Sequence, residues 1–329
     1  MKSAIGLKRR QVLGAGAALL AAAAAPVQAQ AQSFPSGRVT LVVPFPPGAS
    51  TDVTMRVMAD RLGQMWNQPV IVENKGGANG IIAAEAVMRA KPDGYTLFAT
   101  SSMTHAGNPS LYEKLPYDAI TDFEPITRMS LVLMVVLVHK GLKVKTLAEL
   151  TAKLKAEPGK HNYGSGSVSS RVAGELYKML AGVDAVYVGY RNNQLAAPDL
   201  NAGTISFMVL DVPSGKMILN SGWAEPLAVT QTEPLASLPG VPSAPQAGLP
   251  GLLFTTWSAF YAPKGTPREI VLKLNKDIIA AGTNPETAAK LEGMGGGASF
   301  TTPEGLMDFT KSEIEAWRKV IRAANIKIE

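Results

Sequence analysis

What most constrains this chain is an alternation. From residue 39 onward, short apolar runs of strand length take turns with segments of helical spacing, and Gly and Pro punctuate the joints. That order buries a sheet between helices and defines an α/β fold with a mostly parallel sheet. Val39–Val43 reads as a strand, 51–64 as a helix, 69–73 as a second strand, 81–89 as a helix and 95–99 as a third strand. Residues 131–138 are apolar on both faces, as in a fully buried strand, and a crossover is expected there. The plan then begins again. A helix over Leu147–Ala156 leads to a Gly/Ser loop after Tyr163 and a helix over 170–180. Strands are expected at 185–188, 206–210 and 227–230, with a helix over 194–201. A Pro-rich linker, 233–251, precedes a strand at 257–262 and two closing helices, 267–281 and Pro303–Ala323.

The first 31 residues stand apart from this pattern. Lys8, Arg9 and Arg10 precede a thirteen-residue Ala/Leu/Gly run, too short to span a bilayer, and Ala29-Gln30-Ala31 reads as a small-residue cleavage site. An export signal over 1–31, cut near Ala29 or Ala31, is therefore expected, and the arginine pair also fits twin-arginine export. Lys2, Lys8, Arg9 and Arg10 leave with it, which lowers the formal charge from +6 to +2. No basic stripe remains to bind nucleic acid. The chain has no cysteine, which excludes disulfides, thiolate metal sites and a Cys nucleophile. No later segment offers 18 consecutive apolar residues, so the exported mature chain is expected to be soluble, without inserting in the membrane. About 298 mature residues exceed a comfortable single core, so two lobes are expected.

Residues 44–52, PFPPGASTD, join the first strand to the first helix without Lys, His or Cys. A helix start leaves four N–H groups unpaired and carries roughly half a positive charge. A small-residue loop lets a ligand approach those amides, which makes an anion site without a basic side chain. Ser50 and Thr51 add hydroxyls. Asp52 would repel an anion and is assigned to capping the helix or pinning the loop. The same residues also read as a plain Pro/Gly connection.

The second loop, 163–171, YGSGSVSSR, repeats the plan with Ser165, Gly166 and Ser169 ahead of Arg171. A cation in a first helical turn is disfavoured by the dipole, so Arg171 either faces solvent or meets an acid such as Asp211 or a ligand carboxylate. Ligands of open α/β sheets collect at the carboxyl ends of strands. Thr100, Ser101 and Ser102 stand at one such end and Asp211 at another; otherwise they are turn residues. Trp257 reads as core or as cleft wall. Enzyme motifs are poor: Gly164-Ser165-Gly166 lacks the G-x-S-x-G frame, and His105, His139 and His161 lack metal-ligand spacing. Gly76-Gly77-Ala78-Asn79-Gly80 lacks the dinucleotide fingerprint, and no Walker lysine is present.

Several stretches together resemble the Bug family, the periplasmic receptors of tripartite tricarboxylate transporters. They are 44–52 PFPPGASTD, 68–74 QPVIVEN, 91–97 KPDGYTL, 108–117 NPSLYEKLPY, 173–176 AGEL, 199–203 DLNAG and 257–267 WSAFYAPKGTP. The resemblance covers essentially the whole mature chain. It implies a type II periplasmic-binding-protein fold, two α/β lobes around a ligand cleft, with 32–130 and 256–329 forming lobe 1 and 131–255 lobe 2. It also implies a small-carboxylate ligand held by loop backbone and hydroxyls, no cofactor, no metal and no catalytic residue. By motif, Phe45, Gly48, Ala49, Ser50 and Thr51 would line one side of the cleft with Ser101 and Ser102. Ser165, Gly166, Ser169 and Asp211 would face them. Four positions depart from the family pattern. Ala49 replaces a second glycine, Arg171-Val172 a histidine position, 189–192 GYRN the usual PYKG, and Leu210 a phenylalanine. The extra Arg171 points to a second acidic group, as in a dicarboxylate, aromatic ones included. The expected protein is a monomeric receptor that serves membrane transporter subunits. The rival readings are a periplasmic serine hydrolase through Ser165 or Ser101, and a sensor that feeds a signalling partner.

Overall fold

The computed structural model describes residues 34–294 and 297–327. The expected export signal lies outside them. The first strand, β1 (Val39–Val43), has four of its five side chains fully buried. It pairs in parallel with β2 (Val70–Asn74) on one side and β3 (Thr96–Ser101) on the other. A continuous apolar run suits such a central position, covered on both faces. Between β1 and β2 lies α1 (Ser50–Trp66). Its Met55, Met58, Ala59 and Leu62 recur at helical spacing and are all buried, which fixes the face laid on the sheet. Then come α2 (Ile81–Met88), a π-helical turn at Met103–Gly107 directly after β3, and the short α3 (Asn108–Leu111).

The crossover strand is longer than the apolar run that announced it. β4 (Phe123–His139) spans 17 residues. Phe123 to Leu133 pair antiparallel with β9 (Thr255–Pro263), and Met134 to Val138 pair antiparallel with β7 (Phe207–Asp211). The strand thus changes partners between Leu133 and Met134. Its polar first half broke the apolar pattern, and register shifts at Pro125/Thr127 and Arg128/Ser130 disturb its alternation.

Beyond β4 lie α4 (Leu147–Ala156), β5 (Asn162–Ser165), α5 (Val168–Ala181), β6 (Val186–Gly189), α6 (Asn193–Ala202), α7 (Val212–Asn220) and β8 (Ala224–Val229). β5 pairs in parallel with β6 and β7, repeating the arrangement of β1, β2 and β3. The path of the sheet is β2-β1-β3-β9-β4-β7-β5-β6, with β8 and the short β10 (Gly297–Ala298) paired to β4. The expected parallel sheet therefore holds for the two three-stranded groups. The strands that join them are antiparallel, because β4 and β9 each return along the group they enter. Thr230 ties the second passage: its hydroxyl accepts from Met134 N–H at 3.0 Å and donates to the Phe254 carbonyl at 2.6 Å.

The chain closes with α8 (Arg268–Thr283), α9 (Pro285–Gly293) and α10 (Pro303–Ala323), one helix more than expected. α10 buries Leu306, Ile314, Trp317, Val320 and Ile321 and packs against both β4 and α5. Among the described residues no helix is long and apolar enough to cross a membrane.

Candidate ligand site

A cavity of about 620 Å³ opens where the two loop–helix units meet the crossover strands. That volume suits a small organic molecule. Its wall is built from four directions.

The first is the loop after β1, with Phe45, Thr51 and Thr54 on the wall. Asp52 is buried and pins this loop rather than capping the helix. Its carboxylate accepts from Gly48 N–H at 2.8 Å, Asn74 Nδ2 at 2.8 Å and Arg56 Nε at 3.1 Å. Burial alone would raise this carboxyl. The hydrogen bonds from Arg56, Gly48 and Asn74 outweigh it and hold the group at about 2. Gly48 takes φ +84°, which leaves Ala49 an ordinary extended residue at φ −65°. The alanine that departs from the family's double glycine is therefore unstrained. Ala49 is the N-cap of α1 and makes no side-chain capping bond. Among the described residues no side chain caps the start of this helix.

The second direction is the end of β3, where Ser101, Ser102 and Met103 reach the wall. Thr100 does not; it is fully buried and its hydroxyl meets that of Thr104.

The third is the β5–α5 loop with the end of β7, and here the helix starts are closed internally. Ser167 caps α5 by accepting from Ser170 N–H at 3.1 Å, and Asp211 caps α7 by accepting from Ser214 N–H at 2.8 Å. Ser167, Val168, Ser169, Asp211, Ser214 and Met217 line the cavity. Ser165 is fully buried and its hydroxyl donates to the Ser167 carbonyl at 2.7 Å, so it shapes the loop from beneath. Gly166 donates its N–H to Asn193 Oδ1 at 2.8 Å.

The floor is the pair of crossover strands. Ser130 and Ser258 face each other with hydroxyls 2.7 Å apart, and Trp257 closes the bottom. Trp257 is both core and wall: it is 2% exposed, and its Nε1 donates to Glu313 Oε2 at 3.0 Å. Burial raises Glu313, although the Trp257 bond and the nearby Arg128 oppose it.

Of the residues singled out in the sequence, Phe45, Thr51, Ser101, Ser102, Ser169, Asp211 and Trp257 line this one cavity. Gly48, Ala49, Ser165 and Gly166 shape the loops behind it. Ser50 opens α1, and its side chain lies outside what the structure describes. Arg171 is placed elsewhere. Its guanidinium lies over the Tyr187 ring at 4.3 Å and donates to the Lys327 carbonyl at 3.5 Å. Its compensation is an aromatic face and a backbone oxygen, not Asp211, whose carboxylate takes N–H groups from Ser214 and Asn193. Of the floor, Trp257 was singled out as core or cleft wall, while Ser130, Ser258 and the methionines were missed. The crossover strands read as plain core, and alternation along 129–134 was the available signal for a strand with one face on a cavity.

The sheet order and the loop-lined cavity define the class of two-lobed binding proteins. Residues 54–326 match the model of the tripartite tricarboxylate transporter family receptor, and the chain belongs to that family. It is 31% identical over 309 residues to the protein BugT of Bordetella pertussis, covering 93% of this chain and 94% of that one. Two Rhodopseudomonas palustris structures are also similar. One, solved with adipate, is 32% identical with TM-score 0.77 over 89% of this chain and 99% of that one. The other, MatC with bound malate, is 30% identical with TM-score 0.72 over 88% of this chain and all of that one.

Proposed function

We propose that this protein is a periplasmic receptor that captures a small organic carboxylate between its lobes and delivers it to the membrane subunits of a tripartite tricarboxylate-type transporter. The observation that carries this reading is the start of α1. It faces the cavity beside Thr51 and Ser101, and unlike α5 and α7 it has no side-chain cap. Uncapped amides at a helix N-terminus take up negative charge. The neighbouring structures solved with adipate and malate support the same chemistry.

In this reading the ligand carboxylate sits against the first turn of α1, within reach of Thr51, Ser101 and Ser102. Ser169 and Asp211 approach from the facing lobe. Lobe 1 is 32–130 with 256–329 and lobe 2 is 131–255; the change of partners in β4 at 133/134 and the return at Thr255 support that division. The ligand bridges the lobes and shifts an open–closed equilibrium through its preference for the closed form. Residues 1–31 direct export, the mature chain acts as a monomer, and it uses no cofactor and performs no chemistry on its guest.

Ser50→Pro tests the backbone claim. Proline is accepted at the first helical position after an extended residue, so the substitution deletes one amide at little cost to the helix. Calorimetric titration should show Ser50→Pro binding a carboxylate at least about tenfold more weakly than Ser50→Ala. Equal affinity in the two variants would overturn the site. Recovery of the bound molecule unchanged, by mass spectrometry, separates a receptor from a hydrolase.

A further inference from the structure

Resting on the carboxylate reading, we infer that Asn79 is a ligand-contacting residue that sets specificity: its side-chain amide hydrogen-bonds a polar group of the bound acid. Among the described residues it is the one side-chain amide on the cavity wall. Three observations carry this inference. The first is its backbone. From Gly77 to Gly80 four consecutive residues have positive φ, at +118°, +46°, +51° and +86°. The left-handed region is disfavoured for a residue with a Cβ, and Ala78 and Asn79 both occupy it. Such conformations persist where the surroundings over-determine them, and they cluster at ligand clamps.

The second observation is the support. Asn108 is fully buried, and its Nδ2 donates to the Asn79 carbonyl and to the Tyr117 hydroxyl, each at 3.0 Å. Tyr117 in turn donates to the Thr104 carbonyl at 2.7 Å, and the Thr104 hydroxyl donates to the Ser101 carbonyl at 3.0 Å. A buried chain of hydrogen bonds therefore ties Asn79 to Ser101, a second wall residue. The turn is also pressed from behind: a Cβ added at Gly80 would lie 2.6 Å from Thr104 Cγ2 and 2.8 Å from Pro44 Cβ. The third observation is what this support leaves over. Asn79 Nδ2 donates to the Tyr112 hydroxyl at 2.9 Å, which occupies one N–H of the amide. The amide oxygen and the second N–H have no further hydrogen-bond partner among the described residues.

Closing the lobes on a guest takes water from the wall. A polar group that loses water without gaining a partner is costly. A ligand with a polar atom beside Asn79 offsets that cost, and one with a methylene there does not. A site built to hydrogen-bond its guest rejects the analogue that lacks the group. The start of α1 reads a negative charge; Asn79 reads what the rest of the acid carries.

The test separates contact from shape. The exported protein, freed of bound ligand, is titrated by calorimetry with adipate and with malate, and the tighter of the two serves as probe. Asn79→Gly accepts the left-handed backbone, so it should melt within about 3 °C of wild type and yet bind the probe at least about fivefold more weakly. Asn79→Asp keeps the shape and can still accept from Tyr112, but it loses the donor and adds an anion; it should bind at least about tenfold more weakly at pH 7. Tyr112→Phe releases the amide without removing it and should lose less than Asn79→Gly. Affinity within about twofold of wild type in either Asn79 variant would overturn the inference, and with Ser50→Pro still impaired the carboxylate reading would stand. Should Asn79→Gly fail to fold, Asn79→Asp decides alone. If adipate, malate, hexanoate and benzoate all failed to bind wild type at millimolar concentration, both readings would fall.

Discussion

The two strand–loop–helix units at the cavity follow one plan and complete it differently. In the β1–α1 unit, Asp52 reaches back from the first turn to hold the loop, and the helix start keeps no cap. In the β5–α5 unit, Ser167 caps the helix and Asn193 holds the loop through Gly166 N–H. One helix start has no side-chain cap among the described residues; the other has its Ser170 N–H closed by Ser167 and contributes hydroxyls. The glycines differ in the same way. Gly166 is required by space, since an added Cβ would lie 1.8 Å from the Asn192 carbonyl carbon and 2.1 Å from Asn193 N. Gly48 is required by conformation, with φ +84° and nothing within 4 Å of an added Cβ. The second loop is jammed against the start of α6, whereas the first stands open and is tethered by the Asp52 carboxylate and by Asn74, whose Nδ2 donates to the Phe45 carbonyl at 3.0 Å. A binding site built this way needs only one of its two helix ends to stay unsatisfied.

The sharpest break in this comparison should come from Gly166→Ala. The clash is with backbone, so α6 must move, and a loss of about 3 kcal/mol or more in urea unfolding is expected. A loss below about 1 kcal/mol would show the two loops to be equally yielding.

Asp52→Ala removes the tether of the first loop from a buried position, and about 2–3 kcal/mol should be lost at neutral pH. The pH dependence gives this prediction a sign. Asp52 is lowered from 3.8 to about 2 in the folded protein, so its contribution is present above pH 4 and drains away as pH falls from about 4 to 2. Melting curves of wild type and variant should therefore converge across that window; a constant gap would mean that the tether does not depend on charge.

Gly48→Ala should cost about 1–2 kcal/mol through left-handed backbone strain, with no steric component. Ser167→Ala should cost about 1 kcal/mol as a lost N-cap. If the Ser167 variant instead matched Gly166→Ala, the cap rather than the close approach would organise the second loop.

Much of this was legible in the chain because the signals are local. The apolar run 39–43, the loop PFPPGASTD and the 3.6-residue spacing after it specify a strand, a joint and an amphipathic helix within 24 residues. Ser101, Ser102 and Asp211 were placed by their position at strand ends alone. Other elements were hidden by their own residues. The first half of β4 carries Glu124, Pro125, Thr127 and Arg128, which interrupt any apolar run, and its register shifts conceal the alternation. α7 begins Val212-Pro213-Ser214-Gly215, which reads as a turn until Asp211 is seen to cap it and the proline falls in the first turn. Residues 162–165, Asn-Tyr-Gly-Ser, carry little strand propensity beyond Tyr163 and become β5 because β6 and β7 pair with them on both sides.

The sequence by itself determined the succession of strands and helices, the two small-residue joints and the absence of cysteine chemistry, since period and punctuation act over a few residues. Only the tertiary structure decided where Arg171 points, that Ser165 lies beneath the wall, and that methionines from five separate stretches share one cavity. Those outcomes depend on how each helix is rotated against its sheet and on which distant strands meet. Packing settles them over the whole molecule, and no local pattern encodes them.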